Sequence, residues 1–330
     1  MFHVAVVEKM IFFKKIVCVL WGLFFCAQSF AVLVYAHRGG RGLMPENTLY
    51  AFQYALKMGV DFIDLDIGMT RDGVLVVTHD AVLNPDITRD KNENWIQQKI
   101  SVKQLTLHEL QTYNVCGIKP ETEYAQVFRE QVKNLNCSIP SLAEVIDLVK
   151  SQDKNFTGIQ IEIKTDPTQP DLTYSPQKLA EALVKLIHQK NIAQRIEVQS
   201  FDFRCLQAIQ RLDAEIKTAY LTEQSRNQQM QNSDVTIATM WTAGARLKNY
   251  ASIPHMIAAL GGKIWGPQDS TVTPQEIAIA HRLGLKVVVW NSLKYSHNEF
   301  DANLMRKMLE WQVDGIITDR PDKLRMLIGR

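Results

Sequence analysis

The sequence predicts an α/β fold: a TIM (β/α)8 barrel with a cap subdomain inserted after the second strand. Two observations carry that prediction. Short runs rich in β-branched residues alternate with helical patterns, which is how βα units feeding a parallel sheet read. One polar stretch, residues 80–140, is far too long for a βα connection and reads as a cap over the mouth of the barrel. The 330 residues suit one large domain, and 46% of them are hydrophobic, enough for a sizeable core.

The candidate strands are residues 32–36, 62–67, 157–163, 195–199, 217–221, 263–265, 286–290 and 315–318. Helical patterns over 48–58, 176–189, 203–212, 274–283 and 303–311 follow most of them. Ser141 with Glu144 spells a capping box that opens the helix before the third strand. Inside the insertion, residues 102–113 look helical. Residues 222–250 look like a polar loop holding Trp241 and Gly244.

Residues 1–31 read as a secretory signal. Lys14 and Lys15 precede an apolar run over 16–27, and the small residues Ser29 and Ala31 close the segment. About a dozen apolar residues are few for a bilayer span; an uncleaved anchor is the competing reading. The expected mature domain is 32–330, periplasmic or secreted, with no stable membrane insertion once the signal is cleaved. The net charge of +2 sits mostly in the leader, so the near-neutral body argues against a nucleic-acid partner. Of the five cysteines, Cys18 and Cys26 leave with the leader. An oxidising compartment permits one disulfide. Cys116 and Cys137, which share one irregular segment, are the favoured pair, against three free thiols.

The strands carry the chemistry. Side chains alternate along a strand, so Asp64 and Asp66 share one face while Ile63, Leu65 and Ile67 take the other. Their Cα atoms are roughly 6.6 Å apart, close enough for one cation to bridge the carboxylates; a solvated edge strand is the bland alternative. Glu162 and Lys164 repeat the pattern on 157–163. Glu162 suits a third metal ligand, and Lys164 a phosphate contact or a counter-charge for the carboxylates, unless the two form a plain surface ion pair. His37 ends the first strand, with Arg38-Gly39-Gly40 behind it, a sequence that lets a guanidinium approach a phosphate closely. His79 follows the strand-like residues 74–78. Histidine is the side chain best tuned to exchange protons near neutrality, and the other six histidines have no such setting.

Glu46, in Pro45-Glu46-Asn47-Thr48, reads first as a helix start and second as a brace behind the site. Gln199-Ser200-Phe201 and Trp290-Asn291 close the fourth and seventh strands, where barrel enzymes keep their sites; rim packing competes for Phe201 and Trp290. Two proton-transfer groups with a hard metal ion suit hydrolysis of a phosphate ester. No P-loop occurs.

HRGGRGLMPENT from His37, Ala51-Phe52, and GVDFIDLDIGMTRDGVLVVTHD from Gly59 together resemble the glycerophosphodiester phosphodiesterase family. IPSLAEVI at Ile139, IEIK at Ile161, QSFD at Gln199, VVVWN at Val287 and DGIITDRPDKL at Asp314 agree. The likeness runs from Tyr35 to about Leu327. It implies a TIM barrel with an insertion after the second strand. It also implies Ca²⁺- or Mg²⁺-dependent hydrolysis of small glycerophosphodiesters, such as glycerophosphocholine, to glycerol 3-phosphate and an alcohol. By position it gives His37 and His79 the acid and base roles, Asp64, Asp66 and Glu162 one divalent cation, and Arg38 and Lys164 the phosphate. Gln199, Phe201 and Trp290 would line the substrate. The chain departs at Asp64, where the family carries glutamate; the shorter side chain puts metal affinity and identity in question. Two other readings keep these residues: a lysophospholipase D-like enzyme, and a non-catalytic periplasmic phosphodiester-binding protein.

Overall fold

The computed structural model describes residues 32–133, 135–152, 156–223, 239–290 and 302–330. The expected signal segment, residues 1–31, and Asn291 lie outside them. Eight parallel strands close into a barrel. In chain order they are β1 (Leu33–His37), β2 (Phe62–Met69), β4 (Gly158–Ile163), β5 (Ile196–Ser200), β6 (Lys217–Thr222), β7 (Ile264–Pro267), β8 (Lys286–Trp290) and β9 (Gly315–Thr318). The β1–β9 and β1–β2 pairings shut the ring, as a TIM barrel requires.

The strand-like residues 74–78, read outside the eight candidates, do form a strand. β3 (Leu75–Val77) turns back antiparallel on the end of β2. The chain therefore enters the insertion from a hairpin rather than from a barrel strand, and His79 sits two residues past β3.

The helices start where polar caps stand. Thr48 accepts from the Ala51 amide to open α1 (Leu49–Met58), and Gly59, in the left-handed region, ends it. In the insertion, the expected helix over 102–113 breaks into a 3-10 turn (Val102–Gln104) and a short α2 (Leu107–Leu110). The break falls at Thr106, whose own capping box with Glu109 restarts the helix. A further short helix, α3 (Glu123–Val127), follows in the same segment. Ser141 and Glu144 form the reciprocal pair read from the sequence, at the head of α4 (Leu142–Gln152). Ser175 with Pro176 opens α5 (Pro176–Lys190), and Asp202 caps α6 (Phe203–Leu212). α7 (Ile253–Ala259), α8 (Pro274–Arg282), α9 (Ala302–Glu310) and α10 (Pro321–Leu327) follow in chain order among the described residues. α7 and α10 are short and were not read from the sequence. Among the described residues no helix is long and apolar enough to cross a membrane.

Packing follows the alternation. Ile63, Leu65 and Ile67 are fully buried in the main apolar layer between barrel and helices, with Phe52, Ala55, Val145 and Ile146. Each contributes about 1.5–3 kcal/mol by leaving water. The barrel interior has its own apolar floor, where Tyr35 stacks on Phe62 with ring centroids 4.4 Å apart. Gly158 makes room for that stack: a Cβ there would overlap the Phe62 ring. Tyr35 Oη donates to the buried Glu197, near the N-terminal ends of β5 and β6, at 3.0 Å. The insertion has a separate small core of Val76, Leu83, Ile96, Val102, Leu110, Val115 and Ile139. A Cys116–Cys137 disulfide ties it together, while Cys205 is free and buried in the body.

Candidate active site

Strand register assembles the site. Asp66 of β2 pairs with Glu162 of β4, which pairs with Gln199 of β5. His37 of β1 stands beside Asp64 of β2. His37, Glu162 and Gln199 are the last or next-to-last residues of their strands, and the register brings Asp64 and Asp66, mid-way along the longer β2, to the same C-terminal face, where barrel sites are built. A cavity of about 560 Å³ opens there, lined by His37, Arg38, Glu46, Asp64, His79, Glu162, Lys164, Gln199, Phe201 and Trp290. Asp66 is buried just behind the wall, held by Lys164 at 3.2 Å and by the Asn47 amide at 2.9 Å. Every candidate named from the sequence thus reaches one place. Tyr124, Val127 and Phe128 of the insertion complete the wall, so the cap forms one side of the cavity.

The turn after β1 is strained. Arg38, Gly39 and Gly40 have φ of 51°, 82° and 90°, three left-handed residues in a row. Arg38 bears that cost without the freedom of glycine. A Cβ on Gly39 would strike Ala51, so the turn packs tightly on α1. The Arg38 guanidinium reaches Glu46 at 2.8 Å and Asp66 at 3.2 Å. Glu46 accepts a further hydrogen bond from Tyr124 Oη at 2.9 Å, which links the barrel rim to the cap.

The electrostatics centre on three carboxylates. Burial, then the charges of Asp66 and Glu162, push the Asp64 carboxyl well above its ordinary range. Its hydrogen bond is to the Gln199 amide, at 2.6 Å. Asp66 is also buried, yet Lys164 and Arg38 hold its carboxyl well below the usual range. Glu162 goes up, by burial and by Asp66, despite Lys164 at 2.8 Å. Buried like charges disfavour one another, and a divalent cation would resolve that conflict. The donors suit one: all are hard oxygens, and the buried Gln199 Oε1 and Asn47 Oδ1 acceptors beside Asp64 and Asp66 have no partner. Among the described residues no three His, Cys, Asp or Glu side chains already stand as a preformed metal cage. Lys164 supplies counter-charge between Asp66 and Glu162.

The histidines differ in their support. His37 Nδ1 lies 2.6 Å from Asp319 Oδ1, a buried carboxylate at the end of β9. His79 Nδ1 lies 2.8 Å from its neighbour Asp80, which is exposed. Burial lowers both imidazoles. Arg38 and Lys164 add to the effect at His79, which falls from 6.5 to about 4. Phe201 and Trp290 meet edge to face at 5.5 Å on the opposite wall. Asp319, Arg41, Asn47 and Tyr124 were not singled out from the sequence. A signal existed for Asp319, which closes the last barrel strand inside Asp314–Leu324.

Residues 37–323 match the model of the glycerophosphoryl diester phosphodiesterase family. The chain belongs to that family. It is 28% identical over 298 residues to the glycerophosphodiester phosphodiesterase of Caldanaerobacter subterraneus subsp. tengcongensis, covering 90% of this chain and 98% of the relative. A Silicibacter pomeroyi structure, provisionally assigned as a glycerophosphoryl diester phosphodiesterase, superposes with a TM-score of 0.78 at 29% identity, over 90% of this chain and 93% of that one. An Oleispira antarctica phosphodiesterase, solved with its product sn-glycerol-3-phosphate, shares the fold at a TM-score of 0.64 and 20% identity, over 92% and 98% of the two chains. The chain is therefore an enzyme, a glycerophosphodiester-hydrolysing TIM barrel. Family members generally depend on a divalent metal.

Proposed function

We propose that the chain hydrolyses small glycerophosphodiesters to glycerol 3-phosphate and an alcohol, with His37 and His79 as the acid–base pair. The convergence of both imidazoles, three carboxylates, Arg38 and Lys164 on one cavity carries the reading. Asp64, Asp66 and Glu162 would hold Ca²⁺ or Mg²⁺, which when bound supplies positive charge to a phosphate oxygen. Arg38 and Lys164 orient the phosphate. One histidine, neutral at rest, takes the proton of the glycerol 2-hydroxyl as that oxygen attacks phosphorus. The other gives its proton to the departing alcohol. Water then opens the cyclic phosphate with the roles reversed. Intramolecular attack is favoured because its entropy cost is already met within the substrate.

A proton donor must first be charged. Burial is the largest reason His79 stays neutral, with Arg38 and Lys164 next. A bound phosphate offsets those two cations and so raises the imidazole toward the working range. The oxidised Cys116–Cys137 pair supports a periplasmic or secreted location.

A screen of glycerophosphodiesters with and without chelator tests the activity and its metal requirement. A substrate lacking the glycerol 2-hydroxyl tests the cyclic route, and undiminished turnover would exclude it. The wall of Val127, Phe128, Phe201, Leu221 and Trp290 favours one second reading, cleavage of lysophospholipids. Faster turnover of lysophosphatidylcholine than of glycerophosphocholine would select it.

A further inference from the structure

We propose that Asp319 is a positioning residue for His37: it fixes the imidazole as the Nδ1–H tautomer, so that Nε2 is the nitrogen presented to the substrate. The proposal rests on the two-histidine reading above. β9 pairs with β1 through Ala36 and Thr318, so the residues that follow, His37 and Asp319, meet at the same rim level. Asp319 Oδ1 is 2.6 Å from His37 Nδ1. The same carboxylate takes both arms of Arg41, at 3.1 Å on Oδ1 and 2.9 Å on Oδ2. A carboxylate committed on both oxygens to a guanidinium can only accept, so the proton of that short contact belongs to Nδ1.

The support is rigid. The Asp319 side chain is 1% exposed, and its backbone carbonyl accepts from the Gly42 amide at 2.9 Å. Arg41 is itself braced by the Phe128 ring, 4.6 Å away, and its carbonyl accepts from Gln131 at 2.8 Å. His79 lacks such backing: its partner is the adjacent residue Asp80, whose side chain is 46% exposed and open to water. A simple counter-ion for Arg41 would not need an imidazole as its shortest contact. Asp319 keeps its negative charge throughout and takes up no proton. It holds the ring in place and balances the imidazolium whenever His37 carries the extra proton.

The test uses the full-length chain with glycerophosphocholine. In the unaltered protein, ¹⁵N histidine spectra at pH 8 place the His37 proton on Nδ1; a proton found on Nε2 overturns the proposal without any variant. Asp319→Asn lowers kcat by on the order of 10²–10⁴-fold with KM within about threefold, and moves the His37 proton toward Nε2. Asp319→Glu restores part of kcat. The His37→Ala/Asp319→Asn double variant is no slower than His37→Ala. A near-normal kcat in Asp319→Asn, a loss confined to KM, or losses that multiply in the double variant each overturn it. Full activity in His37→Ala sinks the two-histidine reading itself, and this proposal with it. An inactive His37→Ala beside an active Asp319→Asn sinks only the present one.

Discussion

Asp64→Asn should strengthen the fold while weakening the enzyme. Asp64 is 3% exposed, and burial with Asp66 and Glu162 raises its carboxyl well above the ordinary range. Taking the roughly 6.6 Å spacing of alternate strand residues as the charge separation, an effective dielectric of about 20 gives about 2.5 kcal/mol of repulsion between the two aspartates. Lys164 and Arg38 return part of this, so the amide should gain about 1–2 kcal/mol in chelator, or about 2–6 °C in the melting midpoint. Asparagine keeps an oxygen for the Gln199 amide now 2.6 Å from Asp64. The pH dependence has a definite sign. With its folded pKa raised, Asp64 favours the folded state when protonated. That stability is full below the unfolded pKa and is lost as pH rises through the folded one. The advantage of the variant should therefore grow with rising pH and vanish in acid. Thermal melts across pH, in chelator and in millimolar Ca²⁺ or Mg²⁺, measure all of this. The parent should gain stability from cation and Asp64→Asn much less, with a loss of kcat/KM. A variant that melts lower than the parent in chelator at neutral pH, or that responds equally to cation, would refute the reasoning.

Tyr124→Phe removes the hydroxyl donated to Glu46 and should cost about 1–2 kcal/mol of cap attachment, seen as a fall of about 5–30-fold in kcat/KM by steady-state kinetics. Removing the 21-residue Cys116–Cys137 link by a double serine change should lower stability by about 3 kcal/mol, measured by urea unfolding, with the cap becoming the first site of proteolytic cleavage. In chelated protein His79 should take its proton near pH 4, against 6.5 in the unfolded chain. The unfolded state then binds more protons, so its share of the stability is lost as pH falls from 6.5 to 4. An NMR titration checks the value, and Lys164→Met should raise it.

The barrel was legible because its strands carry opposite chemistries on alternate residues. Ile63, Leu65 and Ile67 set against Asp64 and Asp66 announce an inside and an outside before any coordinates are known. The capping pair Ser141–Glu144 was equally local. Short elements were read less well: residues 74–78 looked strand-like, but three residues of β3 give no sign of the antiparallel turn onto β2, and Thr106 cut a helix that apolar spacing alone would have continued. The supports of the site escaped for another reason. Asp319 lies 282 residues from His37 and 278 from Arg41, and Tyr124 lies 78 from Glu46. Such partners meet only because the ring closes and the cap folds back, which no local pattern encodes. The place of Lys164 was readable as one of two alternatives, since its face put it beside the carboxylates, and it stands between Asp66 and Glu162.

The route of the chain through β3 gives the two imidazoles unequal foundations. One is planted on the closed ring; the other stands on the threshold of the insert. A change in length or packing of that insert would reshape the wall of Tyr124, Val127 and Phe128 and, in the same stroke, move His79 relative to His37. On the two-histidine reading proposed above, selectivity and speed are geared together in this scaffold. Grafting a foreign insert to broaden the diet of the enzyme would require the approach to His79 to be rebuilt along with it.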